Sequence, residues 1–326
     1  MPAVHVDDVL VLPRVAKLPA DPATARPVER IVHSRRQLEG AGFEIWRPFP
    51  GNVAMSRTDP FLLLDQLGPT VNGPGEAAGA PWHPHRGFET VTYIIDGEVA
   101  HHDTHGGGGV IGEGDTQWMT AGAGLLHDEL PTERAFREGG PSHGVQLWVN
   151  LPAALKFTQP RYQAITADSL QLLSSHDGGA LLRLIAGDVA GYSGPGATHT
   201  PITYVHATIE ADAQLVLPWN PGFSAMAYVL TGSGAVGVEE RPVQAHQLVM
   251  FGPGQNLVLR GGHTPHEGYE RFDVLLLGGM PIGEPISHYG PFVMNTDAEI
   301  EQAILDFQQG RLGVIPPDQM APRRFA

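Results

Sequence analysis

Two histidines one residue apart, His83 and His85, and the later pair His127-Asp128-Glu129 are the residues of this chain whose types and spacing suit metal chemistry. Along a β-strand successive side chains point to opposite faces, so His-x-His aims both imidazoles the same way, and His-x-Glu on a second strand does the same from opposite. Three neutral nitrogens and one carboxylate then converge on a point. Such a mixed set suits one divalent transition metal, such as iron, manganese, cobalt, nickel or copper, and four protein ligands leave an octahedral ion open positions for substrate or dioxygen. Glu129 has three readings: a ligand, a base beside the metal, or both. With 16 histidines in 326 residues, chance supplies roughly one His-x-His pair, so the spacing carries little weight without its surroundings.

Those surroundings are strands and tight turns. Forty-one glycines, 29 prolines and only 17% charged residues predict an all-β chain. The first pair leads into the β-rich run Val91-Thr92-Tyr93-Ile94-Ile95, which ends in a turn at Asp96-Gly97, and the second follows the glycine-rich Gly122-Ala123-Gly124. The second half repeats the plan. Setting Tyr93-Ile94-Ile95-Asp96-Gly97 on Tyr228-Val229-Leu230-Thr231-Gly232 places Pro218 and Asn220 where His83 and His85 stand; setting Thr120-Ala121-Gly122 on Gly252-Pro253-Gly254 places Leu259 and Gly261 opposite His127 and Glu129. The expected division is an arm over 1–44, a metal-binding domain over 45–152, a linker over 153–162, a metal-free domain over 163–313 and a tail over 314–326. One helix is readable: Thr296 and Glu299 form a capping box, Ile300, Ala303, Ile304 and Phe307 make an apolar stripe, and Gly310 ends it.

The two motifs resemble those of the cupin superfamily, and the wording of several segments resembles the pirin family in particular. These segments are Asp59-Pro60-Phe61-Leu62-Leu63-Leu64-Asp65, residues 83–90, Gln117-Trp118-Met119-Thr120-Ala121-Gly122, Gln146-Leu147-Trp148-Val149-Asn150-Leu151-Pro152 and Gly290-Pro291-Phe292-Val293-Met294-Asn295-Thr296. The resemblance implies a bicupin of two β-barrel (jelly-roll) domains with one metal, usually iron(II), in the N-terminal barrel, and it puts His83, His85, His127 and Glu129 at the ligand positions. Pirins are known both as bacterial flavonol-cleaving dioxygenases (quercetinases) and as iron-dependent transcriptional co-regulators in animals. The implied activity is therefore cleavage of a flavonol such as quercetin with dioxygen, with the flavonol 3-hydroxyl on the metal, Glu129 as the nearest base and carbon monoxide leaving. The alternative is a redox-responsive regulatory protein acting through a protein partner.

A net charge of −15 without a local cluster of Lys and Arg argues against direct nucleic-acid binding, and Arg323-Arg324 is too short to count. There is no cysteine, so thiolate ligands, disulfides and cysteine nucleophiles are excluded. Acidic residues near the N-terminus and the lack of an apolar span predict a soluble cytoplasmic protein that avoids membranes. Other candidates have milder readings. His101, His102 and His105 sit beside the glycine run 106–109 and read as solvent-facing; His263 and His266 read as polar loop residues. Glu89 stands where some cupins place a ligand, but in pirin-like sequences that role passes to the His-x-Glu carboxylate, so it reads rather as a carboxylate that orients a ligand imidazole through a hydrogen bond; Arg86 and Asp128 share its ambiguity. Phe88, Trp118, Met119 and Leu126 are either the wall of a pocket for a flat aromatic substrate or ordinary core.

Overall fold

A computed structural model describes residues 6, 8–263, 266, 268–269 and 271–317. Arg323, Arg324 and the rest of the tail from 318, residues 1–5 and Asp7 near the N-terminus, and Thr264, Pro265 and Glu267 of the histidine loop lie outside the described residues. In the first half, strands β1 (Val28–His33), β2 (Arg35–Glu39), β3 (Phe43–Phe49), β4 (Phe61–Asn72), β5 (Ala80–His85), β6 (Phe88–Asp96), β7 (Val99–Asp103), β8 (Gly108–Ile111), β9 (Thr116–Thr120), β10 (Leu125–Pro131), β11 (Gly140–Asn150) and β12 (Arg161–Ile165) follow in order. A seven-stranded sheet, β12-β9-β6-β11-β4-β3-β2, stands with a four-stranded one, β5-β10-β7-β8. The second half repeats this with a seven-stranded sheet and a four-stranded sheet made of Gln214–Pro218, Asn256–Gly261, Ser233–Val236 and Arg241–Gln244. The chain is all-β, a bicupin.

The side-chain period of two decides what fills each half. In the strand Met226–Thr231, Met226, Tyr228 and Leu230 face one apolar cluster while Ala227 and Val229 face another. The first cluster also holds Val91, Tyr93, Ile95, Val145 and Leu147, so the two large sheets pack against each other and join the halves. The second fills the inside of the C-terminal half, where Leu215, Leu217, Leu257 and Leu259 from the small sheet meet it. On the corresponding inner face of the N-terminal half, β6 and β11 place Thr92, Ile94, Gln146 and Trp148, and these line a cavity.

Register corrects the repeat alignment. The β5–β10 ladder pairs His83 with His127 and His85 with Leu125; the matching ladder of the second half pairs Leu215 with Leu259 and Leu217 with Leu257. With Leu259 as counterpart of His127, the counterparts of His83 and His85 are Leu215 and Leu217, not Pro218 and Asn220. The connection that follows runs over 219–225 there and only over 86–87 here, so an alignment anchored downstream carries the extra residues back past the strand.

The arm expected over 1–44 is in good part built into the sheets. β1 pairs with Gln247–Phe251 as the edge of the C-terminal large sheet, and β2 pairs with β3 in the N-terminal one. Only Val28 and Val32 of β1 are buried, and the charged residues between them conceal a strand from a reading of composition. The linker expected over 153–162 likewise runs into β12, which pairs with β9. The helix Asp297–Gln308 carries its capping box, and Gly310 follows at φ 69°. Ile300 and Ala303 are buried and Ile304 packs on the same cluster, while Phe307 stays 39% exposed. Among the described residues no helix is long and apolar enough to cross a membrane.

Candidate metal centre

Pairing of β5 with β10 brings the three predicted histidines together. One ring nitrogen each of His83, His85 and His127 lies within 4.8 Å of the other two, and among the described residues this is the only such group of three or more His, Asp or Glu side chains. The second nitrogen of each ring is already engaged. His83 Nδ1 donates to the Pro81 carbonyl at 2.8 Å, His85 Nδ1 donates to that of Pro291 at 3.2 Å, and His127 Nδ1 lies 2.9 Å from His101 Nε2. A neutral imidazole that donates through Nδ1 keeps its lone pair at Nε2. His127 Nε2 is buried and has no partner within the protein. Burial first, and then the neighbouring rings, hold His85 and His127 well below the usual histidine range. Convergent ring nitrogens, one of them a buried orphan, are what a divalent cation would satisfy, so these residues fit a metal.

Glu129 stands beside this cluster but its carboxylate is held elsewhere. The β5–β10 register shifts on the β5 side, where three steps from His83 to Ala80 oppose two from His127 to Glu129, while β10 keeps a regular ladder with β7, so Glu129 projects from the same face as His127. The Thr92 hydroxyl donates to Oε1 at 2.6 Å and Gln146 Nε2 donates to Oε2 at 2.9 Å. Burial pushes the Glu129 carboxyl up, against the pull of Thr92, His83 and Gln146. Thus three of the four predicted ligand side chains meet directly, and the fourth faces the same cavity from a clamp on β6 and β11.

That cavity has a volume of about 730 Å³ and is walled by His83, His85, Glu129, Trp82, Trp148, Phe43 and Met55, among others. Trp148 meets His85 edge-on at 5.1 Å between ring centres and leans on Phe88 at 4.4 Å. Arg47 closes another part of the wall, donating to Asp65 through Nε at 2.6 Å and pairing with Glu39 at 2.9 Å. Burial raises Asp65 to about 6 even so. Phe88, Trp118, Met119 and Leu126 do not line the cavity; each is buried in an apolar cluster.

His101 corrects the expectation of a solvent-facing side chain. It is fully buried on β7, directly opposite Glu129 in the β7–β10 ladder, stacked on Tyr162 at 5.5 Å and bonded to His127. Burial lowers its pKa to about 3. The next residue on the strand points the other way: His102 pairs with Asp128 at 2.9 Å, and His105 is exposed. Glu89 does not hold a ring of the cluster: the Nδ1 partners of His83, His85 and His127 are Pro81, Pro291 and His101, and the Thr120 hydroxyl, opposite Glu89 on β9, donates to its Oε1 at 2.7 Å. Arg86 turns away to the Ala123 carbonyl at 2.6 Å and to Asp306 at 2.7 Å. His263 lies on the surface, 2.8 Å from Asp212.

Residues 42–149 match the family model for pirin, and residues 204–313 match that for the pirin C-terminal cupin domain. A Pseudomonas aeruginosa protein provisionally named a quercetin 2,3-dioxygenase is 41% identical over 281 residues, which cover 86% of this chain and 95% of that protein. The chain belongs to the pirin family. Human pirin is 35% identical over 293 residues, covering 89% of this pirin and 95% of its relative. Among solved structures, a quercetin 2,3-dioxygenase from Acinetobacter baumannii superposes with a TM-score of 0.83 at 36% identity, over 90% of this pirin and 100% of that chain.

Proposed function

We propose that this pirin is a metal-dependent dioxygenase that cleaves a flavonol such as quercetin with dioxygen and releases carbon monoxide. Iron(II) is the metal of this reading, held by His83, His85, His127 and Glu129, with manganese, cobalt, nickel and copper as the alternatives the donor set admits. The observation that carries the proposal is the buried, unpartnered Nε2 of His127 beside the convergent rings of His83 and His85, in a half whose interior is a cavity of about 730 Å³. That size lies within the range of roughly 300–1,000 Å³ usual for small-molecule sites.

When bound, the metal supplies Lewis acidity toward a flavonol hydroxyl and the redox chemistry that dioxygen needs. The protein's own part is positional and electrostatic. Trp148, Trp82, Phe43 and Met55 offer flat and apolar surfaces that receive an aromatic ring system and displace water. Glu129 takes the proton of the 3-hydroxyl; a carboxyl raised by burial is the better base near neutral pH. Thr92 and Gln146 hold that carboxylate facing the cavity. The same histidines would serve a redox-responsive binding module, but an open, aromatic-walled cavity beside them favours an enzyme.

Anaerobic reconstitution with iron(II), followed by a quercetin assay with carbon monoxide detection, tests the reading. Turnover with carbon monoxide release is the expected result. Fully iron-loaded protein that consumes no quercetin would overturn it in favour of the binding module.

A further inference from the structure

We infer that His101 is a positioning residue of the metal centre: its Nε2 accepts the Nδ1–H of His127 and so fixes the tautomer and ring plane in which His127 presents Nε2 to a divalent cation. The inference rests on the reading of His83, His85 and His127 as metal ligands.

The two rings form a short chain with two ends. Their inner nitrogens, His101 Nε2 and His127 Nδ1, are 2.9 Å apart, and their outer nitrogens, His101 Nδ1 and His127 Nε2, are both buried with no partner. One proton lies between the inner pair. If it belongs to His101, His127 must carry its own proton on Nε2, pointing into the cluster where a cation would sit. If it belongs to His127, Nε2 is a free lone pair and His101 carries its proton outward on Nδ1. A cation bound by His127 Nε2 selects the second arrangement.

His83 and His85 reach the same state by a different means, since each donates Nδ1–H to a backbone carbonyl. His127 has no carbonyl in that place, and His101 takes the role. Three features keep it there. β7 lies next to β10 in the small sheet, with His101 opposite Glu129, so the ring projects from the same face as His127. The Tyr162 ring lies flat against it, 18° from parallel. Complete burial leaves it no water to turn toward. Unlike a carboxylate in this position, a neutral imidazole fixes the ligand without adding a negative charge beside the metal.

The native protein loaded with zinc(II) gives the first test. Nitrogen-15 NMR of its histidine rings should find His127 protonated at Nδ1 and His101 protonated at Nδ1; a proton on Nε2 of either ring would overturn the inference. Cobalt(II) affinity, measured by competition with a chelator, gives the second. His101→Leu, which fills the space without an acceptor, should bind cobalt(II) about 10- to 100-fold more weakly and with an altered visible spectrum. His101→Gln, whose amide oxygen accepts the same proton, should recover most of the affinity. Wild-type affinity and spectrum in His101→Leu, beside a clear loss in His127→Ala, would sink the role of His101 alone. Unchanged affinity in His127→Ala would sink the metal-centre reading itself, and this inference with it.

Discussion

At the scale of residues, His83→Ala or His127→Ala should lose the metal while the protein stays folded, because the apolar clusters of both halves do not include these side chains. Elemental analysis alongside circular dichroism checks this, and full metal content in either variant would contradict it. Glu129→Gln keeps the shape but removes the basicity, so flavonol turnover should fall by roughly 100-fold or more while metal content falls much less. A pH dependence belongs here too. Burial, and then nearby charges, lower His143 to about 3, and Gln66 Nε2 donates to its ring at 3.0 Å. The unfolded chain then binds a proton at this site between about 6.5 and the folded value, where the native state does not. The stability His143 contributes is thus full above about pH 6.5 and is lost as the pH falls through that window. Asp65 and Glu129, raised by burial, act in the opposite sense, so the measurement is the difference between wild type and His143→Gln in urea unfolding. That difference should shrink from pH 7 to pH 4, and a constant difference would contradict a buried neutral ring. The clustering of His83, His85 and His127 was legible because their spacing is a strand motif. His101 was not, because the glycines after it suggest an exposed hairpin, and its burial follows only once β7 is paired with β10.

At the scale of elements, the segment expected as a linker contains a clamp. Lys156 is buried, and its Nζ donates to the carbonyls of Gly87 and Val293 and to Asn150 Oδ1, at 2.8, 3.0 and 2.8 Å. It thereby ties the turn after His85 to a C-terminal strand. Lys156→Met leaves three acceptors without their donor and should cost about 3 kcal/mol or more in urea unfolding; a change below about 1 kcal/mol would mean that water replaces the amine. Gly87 belongs to the same junction. Its φ is 92°, and a Cβ there would lie 2.0 Å from the Val293 carbonyl oxygen, so the turn that aims His85 needs glycine. The ends of the C-terminal helix were readable because its cap and stop are local signals, whereas the exposure of Phe307 was not. Leu215 and Leu217 were not readable as counterparts of the histidines, since the difference in loop length between the halves shows only in the ladder. β1 escaped notice because an edge strand with two buried valines lacks a sustained alternation.

At the scale of the whole molecule, one plan is used twice with opposite interiors: the C-terminal half is filled by leucine, valine and alanine, and the N-terminal half keeps a cavity with polar and aromatic walls. Purified protein should therefore bind one equivalent of transition metal per chain, and replacing His263 and His266 together should leave that content unchanged. Two equivalents, or a loss of half in the double variant, would misplace the centre. The duplication was legible from the repeated Tyr-x-x-x-Gly strands, whereas the cavity depends on which residues β6 and β11 turn inward. The most direct test of the central claim follows both atoms of labelled dioxygen, ¹⁸O₂, through quercetin turnover by the iron(II)-loaded protein. Both labelled atoms in the ring-cleaved product, one carbon monoxide released per dioxygen consumed, and neither event in His127→Ala, is the predicted result. One labelled atom or none in the product, or equal release by His127→Ala, would contradict a dioxygenase working at this centre.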